Sequence, residues 1–205
     1  MKKLILASNS PRRRQLLTDL GLAYEIRLRE VDETYPPHLR RAEVAEYLAR
    51  HKAAAYAPDL APDEVVLTAD TIVCLGDDVL NKPADAAEAA AMLGRLQGRA
   101  HEVFTGVCLR GGDGQEVVFS DQTTVHFRPL SAAEIDFYIA RHQPFDKAGA
   151  YGAQDWLGMV GITRLEGSYF TVMGLPVHRV WAELGKLGVL VAAAGLAGLA
   201  DFQSL

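Results

Sequence analysis

From Leu4 to Leu20 the chain reads LILASNSPRRRQLLTDL, an apolar run that passes through a polar knuckle into an amphipathic segment. Lys3 to Ala7 reads as a short buried strand. Ser10 suits a helix N-cap and Pro11 the first helical position. Leu16, Leu17 and Leu20 supply one apolar stripe, and Gly21 ends the helix. A buried strand that feeds straight into a capped helix commits the chain to layers of both kinds.

The alternation continues along the chain. Tyr24 to Leu28 is a strand candidate, followed by a loop over REVDETYPP. Arg41 to Tyr56 has helical spacing and is closed by Pro58 and Pro62. EVVLTADTIVCLGDDVLNKP reads as a strand to Ala69, a polar interruption at Asp70 and Thr71, and a strand again from Ile72. A helix is expected over Ala84 to Leu96, ended by Gly98. His101 to Arg110 and Glu116 to Phe127 flank a GGDG turn and form a hairpin. Ser131 and Glu134 make a capping box for a helix to about Arg141. PFDKAGAYGAQDWLG is a glycine-rich loop. Met159 to Leu165 and Tyr169 to Val172 are expected to pair as strands, and a last helix runs from Pro176 through Leu187. The resulting fold class is α/β, a mixed sheet flanked by helices. With no repeat or low-complexity linker in view, residues 1–188 are expected to form a single domain and 189–205 an apolar C-terminal extension.

At 205 residues with 49% hydrophobic side chains, the chain can fill a normal core. Its formal charge of −5 argues against a general nucleic-acid binder, which carries a basic face. Cys74 and Cys108 both lie in apolar runs and read as buried thiols, so a reducing cytoplasm is the expected setting. The apolar runs near the two ends are too short for a signal peptide or a bilayer span, so no membrane partner is expected.

Three features point to chemistry. Arg12, Arg13 and Arg14 stand where the helix dipole is already positive, and repel one another there. An anion at the helix start would reverse that penalty, because free N–H groups and guanidinium forks would converge on it. The plainer alternative is that individual arginines face water. Asp70 interrupts an apolar run, which is costly unless the carboxylate has partners or a metal. Its alternative is a strand-end aspartate that tightens a turn. Lys52, Lys82 and Lys147, with Asp32 and Glu33, complete the parts of a Mg²⁺–polyphosphate site. Lys52 has an ordinary alternative as a helix C-terminal cation. Lys147, Tyr151 and Gln154 share the glycine-rich loop, which could present an amide and a ring to a base or could be a surface connection.

SNSPRR near the start, ADT at 69–71, NKP at 81–83 and DKAGAYGAQ at 146–154 together resemble the Maf family of nucleoside triphosphate pyrophosphatases, in order and spacing. The resemblance spans Lys3 to about Leu187. It implies an inosine triphosphatase-like fold, elongated, with the site in a cleft between two lobes. It implies hydrolysis of a nucleoside triphosphate to the monophosphate and pyrophosphate with Mg²⁺ or Mn²⁺, in a cytoplasmic protein of a family that often forms homodimers. By position, Asp70 matches the family's proton acceptor, Lys52 and Lys82 its activity-linked lysines, and Glu33 an acidic residue on the metal side. Glu33 and Asp70 would hold the metal, or Asp70 would instead accept the proton of the attacking water; the sequence leaves both jobs open for Asp70. Ser8, Ser10, Arg12 and Arg13 would hold the triphosphate, with Lys147 nearby. Arg12, Thr71 and Gln154 resemble the branch acting on dTTP and UTP. The branch acting on 7-methyl-GTP has an aromatic residue after Ser-Pro and Gln after the aspartate. Asn81 departs from the Glu of many relatives, and the apolar tail is unusual. Two other readings stand beside this one: an inosine or xanthosine triphosphatase, and a nucleotide-binding regulator of division without turnover.

Overall fold

The computed structural model describes residues 2–189. Of the extension expected over 189–205, Val189 folds back, its N–H donating to the Leu184 carbonyl at 3.0 Å. Residues 190–205 lie outside the described residues.

Seven strands form one mixed sheet. In chain order these are β1 (Lys3–Leu6), β2 (Tyr24–Ile26), β3 (Glu64–Leu75), β4 (Asp78–Leu80), β5 (Ala100–Gly111), β6 (Glu116–Phe127) and β7 (Ile162–Glu166). The order across the sheet is β2-β1-β3-β5-β6-β7, with β4 added to β3. β1 runs parallel to both β2 and β3, and the remaining pairs are antiparallel. Among the described residues seven α-helices accompany the sheet: α1 (Pro11–Asp19), α2 (Ala42–Ala54), α3 (Ala86–Leu96), α4 (Ala132–His142), α5 (Trp156–Gly161), α6 (Tyr169–Met173) and α7 (Val177–Lys186).

Local chemistry explains most of these limits. Ser10 caps α1 by accepting from the Arg13 N–H, with Pro11 at the first turn. The α4 capping box is present in both directions, Ser131 to Glu134 and back. The GGDG turn joins β5 to β6 in an eleven-pair ladder from Ala100↔His126 to Arg110↔Glu116.

Two expectations are corrected. Asp70 and Thr71 do not break a strand, because β3 is continuous over Glu64–Leu75. The interruption lies in its neighbours. β1 pairs with Glu64 to Leu67, β4 pairs with Val73 to Leu75, and β5 occupies the other edge throughout. Thr68 to Ile72 therefore form a stretch of β3 with no strand on one side. The second correction concerns the expected pair Met159–Leu165 and Tyr169–Val172. Only Ile162–Glu166 is strand; α5 precedes it and α6 follows. Packing overrides the β-propensity of Tyr169–Val172. Thr171 is fully buried, its hydroxyl donates to Asp121, and Gly174 ends the helix at φ 105°.

The faces of the sheet are covered unequally. Residues two apart on a strand share a face. Val66, Ile72 and Cys74 of β3 pack beneath α2, with Ala49, Ala53, Val44 and Leu48 of that helix. On the opposite face Leu67 and Ala69 join α1 and α7, whereas Val73 joins α3, α4 and the Ala150–Tyr151 loop. Two core clusters thus lie along that face, with Thr71 between the residues of β3 that enter them.

Candidate active site

A cleft of about 1090 Å³ opens over the bare edge of β3. Ser8, Ser10, Arg12, Arg13, Glu33, Lys52, Asp70, Thr71, Lys82, Lys147 and Gln154 all line it. Asp32 does not. It turns back onto Thr34, accepting from its N–H at 3.2 Å and its hydroxyl at 2.6 Å.

On the α2 side of the edge the charges form a chain. Lys52, in the last turn of α2, places Nζ 2.5 Å from Asp70 Oδ1 and 2.7 Å from Glu33 Oε1. Lys82 donates to Glu33 Oε2 at 3.1 Å. Burial alone would raise the Glu33 pKa, but the two lysines outweigh it and hold the carboxyl down at about 2. Asp70 Oδ2 makes no hydrogen bond among the described residues. No group of three or more His, Cys, Asp or Glu side chains able to hold a metal alone exists among the described residues.

Gly106 makes this chain of charges reachable. It stands opposite Asp70 in the β3–β5 register. A Cβ there would overlap the Ala45 carbonyl and come within 2.6 Å of the Glu46 amide nitrogen. Only glycine lets α2 lie this close to the sheet, and α2 carries Lys52. The sequence reading passed over Gly106, although a glycine inside an apolar strand is the usual mark of close backbone approach.

The arginines answer to different partners. Arg13 turns under the α1 start. Its Nε donates to the Gly174 carbonyl at 2.7 Å, Nη1 to Ser8 Oγ at 3.3 Å and Nη2 to Thr71 Oγ1 at 3.1 Å. Its burial lowers the guanidinium pKa, opposed by Asp70, and Arg12 adds to the lowering. Arg14 donates to Asn9 Oδ1 at 2.7 Å. Arg12 has the loosest engagement, 3.8 Å from Asp146 Oδ2. The α1 start thus has one arginine built into the scaffold and one loosely held at the cleft.

The glycine-rich loop supplies the far wall. Gly149 adopts φ 67° and packs on Val73 so closely that a Cβ would lie 2.9 Å from it, and its N–H donates to the Asn81 carbonyl at 3.2 Å. That contact joins the NKP turn to the loop. Tyr151 is buried and shares a 2.7 Å hydrogen bond with His101 Nε2. Burial pushes the His101 pKa down to about 4. Lys147 reaches Asp146 at 2.7 Å and Asp155 at 3.7 Å. Gln154 presents Oε1 buried and without a hydrogen-bond partner among the described residues. A buried orphan acceptor on a cleft wall is a position for a donor from a ligand.

The cleft can therefore hold a long polyanion. It combines cations along one wall, a helix start with a loosely held arginine, a carboxylate with one open oxygen, and the unpartnered Gln154 Oε1 on the far wall.

The chain is similar to several known proteins. The family profile described as "Maf-like protein" matches residues 3–187. A Phocaeicola vulgatus protein described as "dTTP/UTP pyrophosphatase" is 50% identical over 186 residues, which cover 90% of this chain and 96% of that one. A Cytophaga hutchinsonii protein of the same description is 50% identical over 184 residues, covering 90% and 84%. Among solved structures, a nucleoside-triphosphatase/dITP/XTP pyrophosphatase from Mycobacterium abscessus matches 93% of this chain and 98% of its own, at 14% identity and a TM-score of 0.44. No helix among the described residues is long and apolar enough to cross a membrane.

Proposed function

The chain belongs to the Maf family, and from that premise we propose that it is a nucleoside triphosphate pyrophosphatase that converts dTTP and UTP to the monophosphate and pyrophosphate. The observation that carries this reading is the Lys82–Glu33–Lys52–Asp70 chain, which lines the same cleft of about 1090 Å³ as the α1 start.

The triphosphate lies along that wall. The N–H groups at the α1 start, Ser8, Ser10 and Arg12 hold one part of it, and Lys52 and Lys82 counter charge that moves toward the leaving pyrophosphate. Arg13 acts from below by fixing Ser8, Thr71 and the Gly174 carbonyl. Water adds across the α–β anhydride, and its proton passes to the open Oδ2 of Asp70. The bridging oxygen departs with the pyrophosphate. Gln154 and Thr71 meet the base, and Lys147 stands beside them.

A divalent cation, Mg²⁺ or Mn²⁺, fits the donor set. Asp70 Oδ2 is the one oxygen of the Glu33–Asp70 pair that no lysine engages, so it would serve either the ion or the proton of the attacking water; Glu33 would join the ion's ligands by giving up a lysine contact, with phosphates supplying the others. When bound it would neutralise charge on the triphosphate oxygens.

The test is a product-resolved assay with Mg²⁺ and dTTP, UTP, CTP, ITP, ATP and 7-methyl-GTP. Monophosphate plus pyrophosphate from dTTP and UTP is expected. Orthophosphate as the first product would overturn α–β cleavage, and preference for ITP would overturn the base assignment.

A further inference from the structure

On the face of the sheet away from α2, a guanidinium, two hydroxyls and a backbone carbonyl form an unbroken chain. Arg13 Nη2 donates to Thr71 Oγ1 at 3.1 Å, Thr71 Oγ1 lies 2.9 Å from Thr105 Oγ1, and Thr105 Oγ1 donates to the Thr171 carbonyl at 2.7 Å. Thr105 is fully buried. Thr71 and Thr105 are partners in the β3–β5 register, so their side chains stand side by side.

Proton counting gives this chain one direction. A carbonyl oxygen only accepts, so the single Thr105 proton is committed to Thr171. Thr105 can then meet Thr71 only as an acceptor, and the single Thr71 proton is committed to Thr105. Arg13 only donates, so it takes one Thr71 lone pair. Thr71 lines the cleft, and all its hydroxyl has left to offer there is one lone pair.

We propose that Thr105 is a specificity-determining positioning residue: by holding the Thr71 proton away from the cleft, it makes Thr71 an obligate acceptor that selects a uracil or thymine N3–H over the bare N3 of cytosine. The inference rests on the proposed reading in which Thr71 meets the base. Uracil and thymine carry a single ring N–H on the edge that faces a protein, the N3–H, flanked by two carbonyls. Cytosine presents a lone pair at the same place. Gln154 cannot make that distinction alone, because its amide can turn either a donor or an acceptor to a base. A hydroxyl whose proton is spent elsewhere can. The cost falls on cytosine, whose N3 would face an oxygen lone pair with no proton between them.

The test measures the UTP:CTP ratio of kcat/KM in four variants with wild-type circular dichroism. Thr105→Val keeps the shape, removes the acceptor and frees the Thr71 proton. The ratio is expected to fall about tenfold, the size of one misdirected hydrogen bond. The Thr171 carbonyl still accepts from the Gly174 N–H at 3.0 Å, so the substitution leaves no orphan there. Thr105→Ser restores the chain and is expected to restore the ratio. Thr105→Ala gives the same readout as Thr105→Val should the latter be insoluble. An equal loss on UTP and CTP would overturn the proposal, since a merely structural role, or a contact with the ribose, would act on both alike. Thr71→Val separates the two layers. If it keeps the wild-type ratio, Thr71 does not read the base and the proposal falls with its premise. If it loses the ratio while Thr105→Val keeps it, the premise stands and the role of Thr105 is refuted.

Discussion

Gly106→Ala is a substitution of one methyl group whose consequence can be worked out from the close approach of α2. The new Cβ would overlap the Ala45 carbonyl and stand 2.6 Å from the Glu46 nitrogen. Ordinary contact requires α2 to lift by about 1 Å, since a packed interior has no slack to absorb the change elsewhere. The expected cost is about 2 kcal/mol, or a fall in melting temperature of about 4–8 °C for a domain of this size. The functional effect should exceed the stability effect. Lys52 lies two turns along α2 from Ala45, and its 2.5 Å contact with Asp70 is set by the height of that helix above the sheet. A displacement of this size commonly costs about 10²-fold in turnover. Thermal unfolding and dTTP pyrophosphate release would be measured on the same preparation. Gly94→Ala is the control, because nothing lies within 4 Å of a Cβ at that position in α3. It should stabilise the protein by about 0.5–1 kcal/mol. The clash is with backbone, so adding Ala45→Gly should rescue nothing. Wild-type melting and turnover in Gly106→Ala would refute the argument that this glycine sets the site.

Three further outcomes are expected. Asp70→Asn should lower pyrophosphate release about 10²–10⁴-fold while the circular dichroism spectrum is retained; turnover near wild type would remove Asp70 from proton transfer. Arg12→Ala should raise KM for dTTP and change stability by less than about 0.5 kcal/mol, because its 3.8 Å contact with Asp146 is loose and exposed; a large melting shift with unchanged KM would assign it to the scaffold. His101 should give a pH dependence of stability. Its pKa lies below the ordinary 6.5, at about 4, so the folded state resists protonation that the unfolded chain accepts. Stability is therefore complete above about pH 6.5 and is lost as the pH falls toward 4, by about 3 kcal/mol in total. Denaturant unfolding of His101→Gln between pH 7 and pH 4.5 should lack that slope, and an identical slope would refute the assignment.

Features whose cause is local were legible in the sequence. Ser10 with Pro11, and Ser131 with Glu134, specify helix starts within four residues, and both are found as read. The GGDG hairpin follows from its turn chemistry. Features whose cause lies across the chain were not legible. Asp70–Thr71 looked like a gap in β3 because polar residues in an apolar run usually mark an end, yet β3 continues and its neighbours stop. Tyr169–Val172 has strand composition but is helical, held by Thr171 against Asp121 and by Arg13 against the Gly174 carbonyl. The motif residues of the candidate site could be named, but their pairing could not. Lys52 and Glu33 are 19 residues apart and are joined only by the way the segment between β2 and α2 folds. Thr105 carries no motif, and its sole signal is a hydroxyl inside a buried run.

The bare edge of β3 explains why one cleft can address two unlike ends of a ligand. Successive residues of a strand point to opposite faces of a sheet, so Asp70 and Thr71 would be sealed into separate compartments by any strand that paired alongside them. Asp70 looks toward α2 and its lysine, Thr71 toward Arg13, Thr105 and α6. With the edge uncovered from Thr68 to Ile72, a single molecule draped over it can touch both faces at once. An exposed edge normally invites another chain to pair with it. Here β1 and β4 close it at both ends, and the charged groups on its rim favour an anionic ligand over an apolar strand. In the proposed reading, the absence of a strand at this point is therefore what would let charge handling on one face and base reading on the other act on the same substrate.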